Sequence, residues 1–134
     1  MQQQYLDQAS HNQKFHDCIE GQFANDFFDW KITVLFYVAI HWLKALGIKR
    51  GYNLGETHYE IECKVNPGRD NAQCKITRNA WREYKSLYTY SRTARYEGIT
   101  DINTFQQLKE IDHRYCIEHI ERFKRYIKGQ GIEI

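Results

Sequence analysis

Asp29-Trp30-Lys31-Ile32-Thr33-Val34-Leu35-Phe36-Tyr37-Val38-Ala39-Ile40-His41 is apolar on nearly every side and ends in one histidine. A helix that is hydrophobic around most of its circumference has to be covered by others. The second informative stretch, Trp81 to Tyr96, carries aromatics at helical spacing and ends with Arg92 and Arg95 one helical turn apart. A buried central helix and an aromatic partner that brings cations to the end of a bundle follow from the two together.

Working outward, residues from about Gln3 to Gln22 read as an amphipathic helix, with Tyr5, Leu6, Ala9, Phe15, Cys18 and Ile19 near one face. Gly21 and Phe23-Ala24-Asn25-Asp26 end it. Asp26 or Asp29 is placed to cap the next helix by accepting from first-turn amides. That helix is expected from about Trp30 to Leu46, stopping at Gly47. Gly51, Asn53 and Gly55 mark a loop. Thr57-His58-Tyr59-Glu60 fits a capping box that opens a short helix to about Val65, and Asn66-Pro67-Gly68 breaks it. The aromatic helix starts near Thr77, stacks Trp81, Tyr84, Tyr88 and Ser91 on one side, and closes at Gly98. Thr100 to Asn103 supply caps for a last helix from about Thr104 to Lys128. Its expected apolar stripe is Phe105, Leu108, Ile111, Tyr115, His119, Phe123 and Tyr126. The predicted architecture is all-α: one domain over residues 1–134, a bundle of four long helices and a short one with antiparallel neighbours.

Composition narrows the function classes. With 134 residues, 42% hydrophobic and 27% charged, the chain suits a globular domain with a core of its own. A formal net charge of +2 does not by itself argue for nucleic acid. The second half is nevertheless rich in Arg and Lys, so an RNA case rests on where those cations sit. The apolar run Ile32–Ile40 is too short to span a bilayer, and Met-Gln-Gln-Gln-Tyr has neither the positive start nor the apolar stretch of a signal peptide. A cytoplasmic location without membrane partners is the expectation. Cys18, Cys63, Cys74 and Cys116 form no Cys-x-x-Cys pair, and His58 with Cys63 and Cys74 is a poor zinc pattern. Reduced cysteines, no metal and no cofactor are expected. Walker loops, Ser-His-Asp order and magnesium-type carboxylate clusters do not occur, which leaves kinase, hydrolase and two-metal nuclease readings without support.

Three blocks resemble the HEPN family, specifically a short single-domain branch: DWKITVLFYVAIH (29–41), GETHYE (55–60) and YKSLYTYSRTARYEG (84–98). The resemblance extends over roughly Tyr5 to Tyr126. It implies a helical domain acting on RNA as a homodimer in a defence or toxin-like setting. Catalytic members share an Arg-x4–6-His motif that builds a metal-independent ribonuclease site across two copies. Arg114 and His119 fit that spacing here, while Glu121 stands where many active members have tyrosine and Tyr115 where Asn or Asp often follows the arginine.

Chemically, Arg114 would hold a phosphate and His119 would exchange the proton of the ribose hydroxyl or the leaving oxygen. Five residues of helix separate them by about 140°, which suits a meeting across a dimer seam. The structural alternative puts His119 in the core and pairs Arg114 with Glu110 or Glu118. His58, Arg92, Arg95 and Tyr96 form a second candidate cluster, an RNA clamp of two cations and a stacking ring. Its alternative is structural, with the arginines complementing a helix C-terminus. His41 reads as a satisfied core histidine. Two functions therefore compete: a metal-independent endoribonuclease, and a non-catalytic helical dimerisation or interaction module that has lost the nuclease site.

Overall fold

A computed structural model describes residues 1–96 and 101–134; the side chain of Tyr96 also lies outside the described residues. The chain forms α1 (Gln2–Gln22), α2 (Phe28–Lys49), α3 (His58–Val65), α4 (Arg78–Tyr96) and α5 (Ile102–Gly129), with no strand among the described residues. The all-α expectation of four long helices and one short one is borne out. The expected stop at Gly98 and the capping role of Thr100 lie outside the described residues.

Helix α2 is the hub, packing against α1, α4 and α5. Its Ile32, Leu35, Val38, Ala39, Leu43 and Leu46 are almost completely buried, as an apolar helix in water requires. By length and composition this 22-residue helix could cross a bilayer, so the shorter run seen in the sequence underestimates it. Here most of its surface is covered by the other helices.

Contacts give the directions. Tyr5 meets His41 and Glu20 meets Lys31, so α1 and α2 are antiparallel. Lys109 reaches Thr93 while Arg122 reaches Glu83, so α4 and α5 are antiparallel as well.

Local expectations hold where the signal is local. Glu60 N donates to Thr57 Oγ1 (3.1 Å), as the capping box requires, although the Glu60 carboxylate accepts from Glu56 N (2.8 Å) and not from Thr57. Asp101 caps α5, accepting from Asn103 N (3.1 Å) and Thr104 Oγ1 (2.7 Å).

Three expectations need correction. Neither Asp26 nor Asp29 caps α2: the N-cap is Phe27, at φ 58°, and makes no side-chain cap bond. The cap comes from α5, where Gln106 Oε1 accepts from Phe28 N (2.9 Å) and Gln106 Nε2 donates to Asp29 (3.1 Å). Gly47 does not stop α2, which runs on to Lys49. A Cβ at Gly47 would lie 2.6 Å from Leu54 Cγ, so glycine serves the close approach of the following loop. The chain reverses instead at Gly51, at φ 87°.

The third correction is the stripe on α5. Phe105, Cys116, Ile120, Phe123 and Ile127 are buried together with Lys109 and His113. Leu108, Ile111 and Tyr115 are about half exposed, at 57, 48 and 50%. The helix carries two apolar rows, and the one interrupted by polar residues faces α2.

Candidate functional site

His119 lies at the seam of α4 and α5, not in the core. Its Nδ1 is 2.6 Å from Glu83 Oε2, and Arg122 Nε donates to Glu83 Oε1 at 2.8 Å. Helix spacing explains the set, since 119 and 122 lie one turn apart on the face of α5 that meets α4. Arg122 Nη2 is also 3.1 Å from His119 Nδ1. An arginine N–H can only donate, so the shorter carboxylate contact assigns the Nδ1 proton to the bond with Glu83. Nε2 makes no hydrogen bond among the described residues. The side chain keeps 19% of its surface exposed.

Burial alone would raise the Glu83 carboxyl, but hydrogen bonds from Arg122 and His119 outweigh it and hold the group below the usual carboxylate range. Glu83 holds Arg122 in turn and raises its pKa.

Arg114, the other half of the expected motif, is placed elsewhere. Its side chain is 72% exposed and pairs with Glu110 at 3.1 Å, one turn back on α5. Within one chain, then, Arg114 and His119 engage different acids. The cation that His119 does meet is Arg122.

Beside this seam, a groove of about 490 Å³ on α4 is lined by Trp81, Arg82, Lys85, Ser86, Thr89 and Tyr90. Tyr90 links groove and seam, its ring centroid 6.0 Å from that of His119 and 6.5 Å from that of Tyr115.

The second expected cluster is only partly assembled. His58 stacks on Tyr88, with centroids 3.5 Å apart and planes 6° from parallel, and its Nδ1 is 3.1 Å from the Tyr84 hydroxyl. Burial, reinforced by the charges of Lys85 and Arg92, lowers the His58 pKa to about 4. At that pKa the ring is uncharged at neutral pH, and it packs against Tyr88 and Tyr84. Arg92 is exposed. Arg95 sits over the rings of Phe36 and Tyr37, 5.8 Å from each, and ties the end of α4 to α2. The side chain of Tyr96 lies outside the described residues. His41 is satisfied as expected, its Nδ1–H donating to Tyr37 O at 2.7 Å with burial lowering its pKa, but it is half-buried and not in the core. All four cysteines are free; burial pushes the Cys116 thiol up to about 12 and makes it inert at neutral pH.

Sequence reasoning missed two sets of residues. Glu83 and Arg122 were invisible because their partnership joins helices 39 positions apart. The other set lies where α1, α2 and α5 meet. His16 Nε2 is 2.9 Å from His113 Nε2, Glu20 Oε2 is 3.9 Å from His113 Nε2, and the fully buried Lys31 ammonium is 3.3 Å from Glu20. The available sequence signal was His16 and Glu20 at a four-residue spacing, which puts both on one face of α1. Burial, together with His16, holds the His113 pKa down at about 4.

No family model, curated protein or solved structure matches the chain.

Proposed function

We propose that the chain is an RNA-directed, HEPN-like protein that cleaves RNA without a catalytic metal, as a homodimer, with His119 as its acid–base residue. One observation carries this reading: a histidine bonded through Nδ1 to Glu83 lies 6.0 Å, ring to ring, from Tyr90, which lines a basic, aromatic groove. Arg82 and Lys85 suit phosphates, and Trp81 and Tyr90 offer stacking faces for unpaired bases. Nε2 of His119 then takes the proton of a ribose 2′-hydroxyl. The 2′-oxygen attacks phosphorus, the P–O5′ bond breaks and the 5′-oxygen leaves with the proton that His119 returns, giving a 2′,3′-cyclic phosphate and a 5′-hydroxyl. Arg122 supplies positive charge beside the histidine, and Arg114 enters the site across the dimer seam. The half-exposed row Leu108, Ile111 and Tyr115 runs along the same helix and gives that seam its apolar contact.

The test is incubation of the purified chain with single-stranded and structured RNAs, with product ends analysed. Cleavage leaving a cyclic phosphate, blocked by 2′-deoxy substitution and abolished in His119→Ala, supports the proposal. Intact RNA throughout ends it.

The separation of Arg114 from His119 within one chain favours the second reading, a non-catalytic interaction module on the same scaffold. It predicts a dimer with no cleavage at all.

A further inference from the structure

We propose that His16, Glu20 and His113 form a binding site for one divalent transition-metal ion of the zinc class. Their donor atoms, two imidazole nitrogens and a carboxylate oxygen, all lie within 4.8 Å of one another. They come from two helices: His16 and Glu20 from successive turns of α1, His113 from α5. This N2O set is the kind that zinc and its neighbours take, whereas magnesium and calcium select oxygen.

Four observations support the assignment. His16 Nδ1 is 3.1 Å from Asp17 Oδ1, so the outer nitrogen has a carboxylate to donate to and Nε2 is left as the ligand. This is the outer-shell arrangement that orients metal-binding histidines. Glu20 Oε2 is enclosed and meets no partner in hydrogen-bond geometry among the described residues; the Lys31 ammonium lies 3.3 Å from it and His113 Nε2 3.9 Å. The Lys31 ammonium is already held by the Phe23 (2.7 Å) and Ala24 (3.4 Å) carbonyls and does not depend on Glu20 alone. The carboxylates of Asp17 and Glu20 outnumber the single Lys31 ammonium, a balance that favours a cation.

The two rings need little movement to share an ion, whereas Glu20 Oε2, 3.9 Å from His113 Nε2, has to close in. Two nitrogens on a tetrahedral zinc stand about 3.3 Å apart at the usual bond lengths, against 2.9 Å here. Without metal, one N–H···N bond between the rings accounts for the same contact, and the experiment has to separate these two states. The Glu20 side chain is 43% exposed, although its Oε2 is enclosed.

Zn²⁺ is titrated by calorimetry into the chelator-stripped full chain, alongside His113→Gln and Glu20→Gln, with Co²⁺ absorption as a second readout. Wild type is expected to bind one equivalent. Loss of outer-shell partners alone costs about 10–100-fold in affinity, so loss of a ligand should weaken binding about 100-fold or more. His11→Ala and Cys18→Ser, which alter exposed donors elsewhere on α1, should bind as wild type does, and Mg²⁺ should not compete. Circular dichroism and a cooperative melt establish that each variant is folded. Should His113→Gln fail to fold, the partly exposed Glu20→Gln gives the same reading. Wild type that takes up no stoichiometric Zn²⁺, or a folded Glu20→Gln that binds as tightly as wild type, overturns the site. His119→Ala should bind Zn²⁺ normally whether or not the chain cuts RNA, so this inference and the ribonuclease proposal fail separately.

Discussion

Replacing Lys31 with methionine tests how the corner between α1 and α2 is held. The lysine side chain is fully buried, with Nζ 2.7 Å from Phe23 O and 3.3 Å from Glu20 Oε2. Its ammonium also lies 4.3 Å from the centre of the Phe28 ring. Methionine nearly conserves the volume, so packing changes little. What disappears is a charge-assisted hydrogen bond, contributing about 1.5–3 kcal/mol, and the counter-charge of Glu20. Removing one partner of a fully buried pair costs about 3–5 kcal/mol, but relief of the ammonium's own desolvation offsets part of it. Glu20, at 43% exposure, can rehydrate, which offsets more. The net expectation is a loss of about 2 kcal/mol. At about 2.1 cal/mol/K of unfolding entropy per residue, this lowers the melting temperature by about 7 °C. Urea titration and thermal melts of metal-free protein measure it, with the m-value unchanged. Adding Glu20→Gln should recover part of the loss, because the two charges are coupled. A Lys31→Met chain that melts at or above wild type would refute the reasoning and show that packing alone holds the corner.

Four further outcomes are expected. His119→Ala should lower RNA cleavage about 10²–10⁴-fold with helix content retained; Glu83→Gln should lower kcat in the same direction, and unchanged rates in both would remove His119 from the chemistry. Ile111→Lys with Tyr115→Glu should convert a sedimenting dimer to monomer without lowering the melting temperature, whereas a monomeric wild type would sink the shared-site arrangement. Because the folded pKa of His58 is about 4 against 6.5 unfolded, the unfolded chain binds the extra proton between those values and stability falls as pH drops through that window. After discounting for the half-exposed ring, the loss is about 1 kcal/mol, and denaturant titrations of His58→Gln should lack that share of the slope. Gly47→Ala should destabilise the chain by about 1–3 kcal/mol, since its methyl group must displace Leu54; a melt at the wild-type temperature would show that the loop yields freely.

Helix positions were legible because their signals are local. The apolar run of α2, the Thr57–Glu60 box and the break at Asn66-Pro67-Gly68 each lie within a few residues. The α5 stripe was misread because Leu108, Ile111 and Tyr115 repeat at helical spacing as well as the buried row does. Periodicity alone cannot say which row meets α2 when Lys109 and His113 interrupt the right one. Gly47 looked like a stop for a related reason, since its purpose depends on Leu54, which returns from outside the helix. The site divided in the same way. Arg114 and His119 are suggested by the motif of the family the chain resembles, but the groups that fix His119, and the histidine pair 97 positions apart, exist only once the helices have packed.

The hub position of α2 has a consequence for how the chain is made. Synthesis delivers α1 and α2 first, and this hairpin covers only one side of the most apolar helix in the molecule. The surface meant for α5 stays bare until residue 129 has been added, 80 residues after α2 ends at Lys49. At about 5–20 residues per second this leaves an interval of about 4–16 s. Nascent chains stalled inside that window should bind general hydrophobic chaperones, and chains released beyond α5 should not.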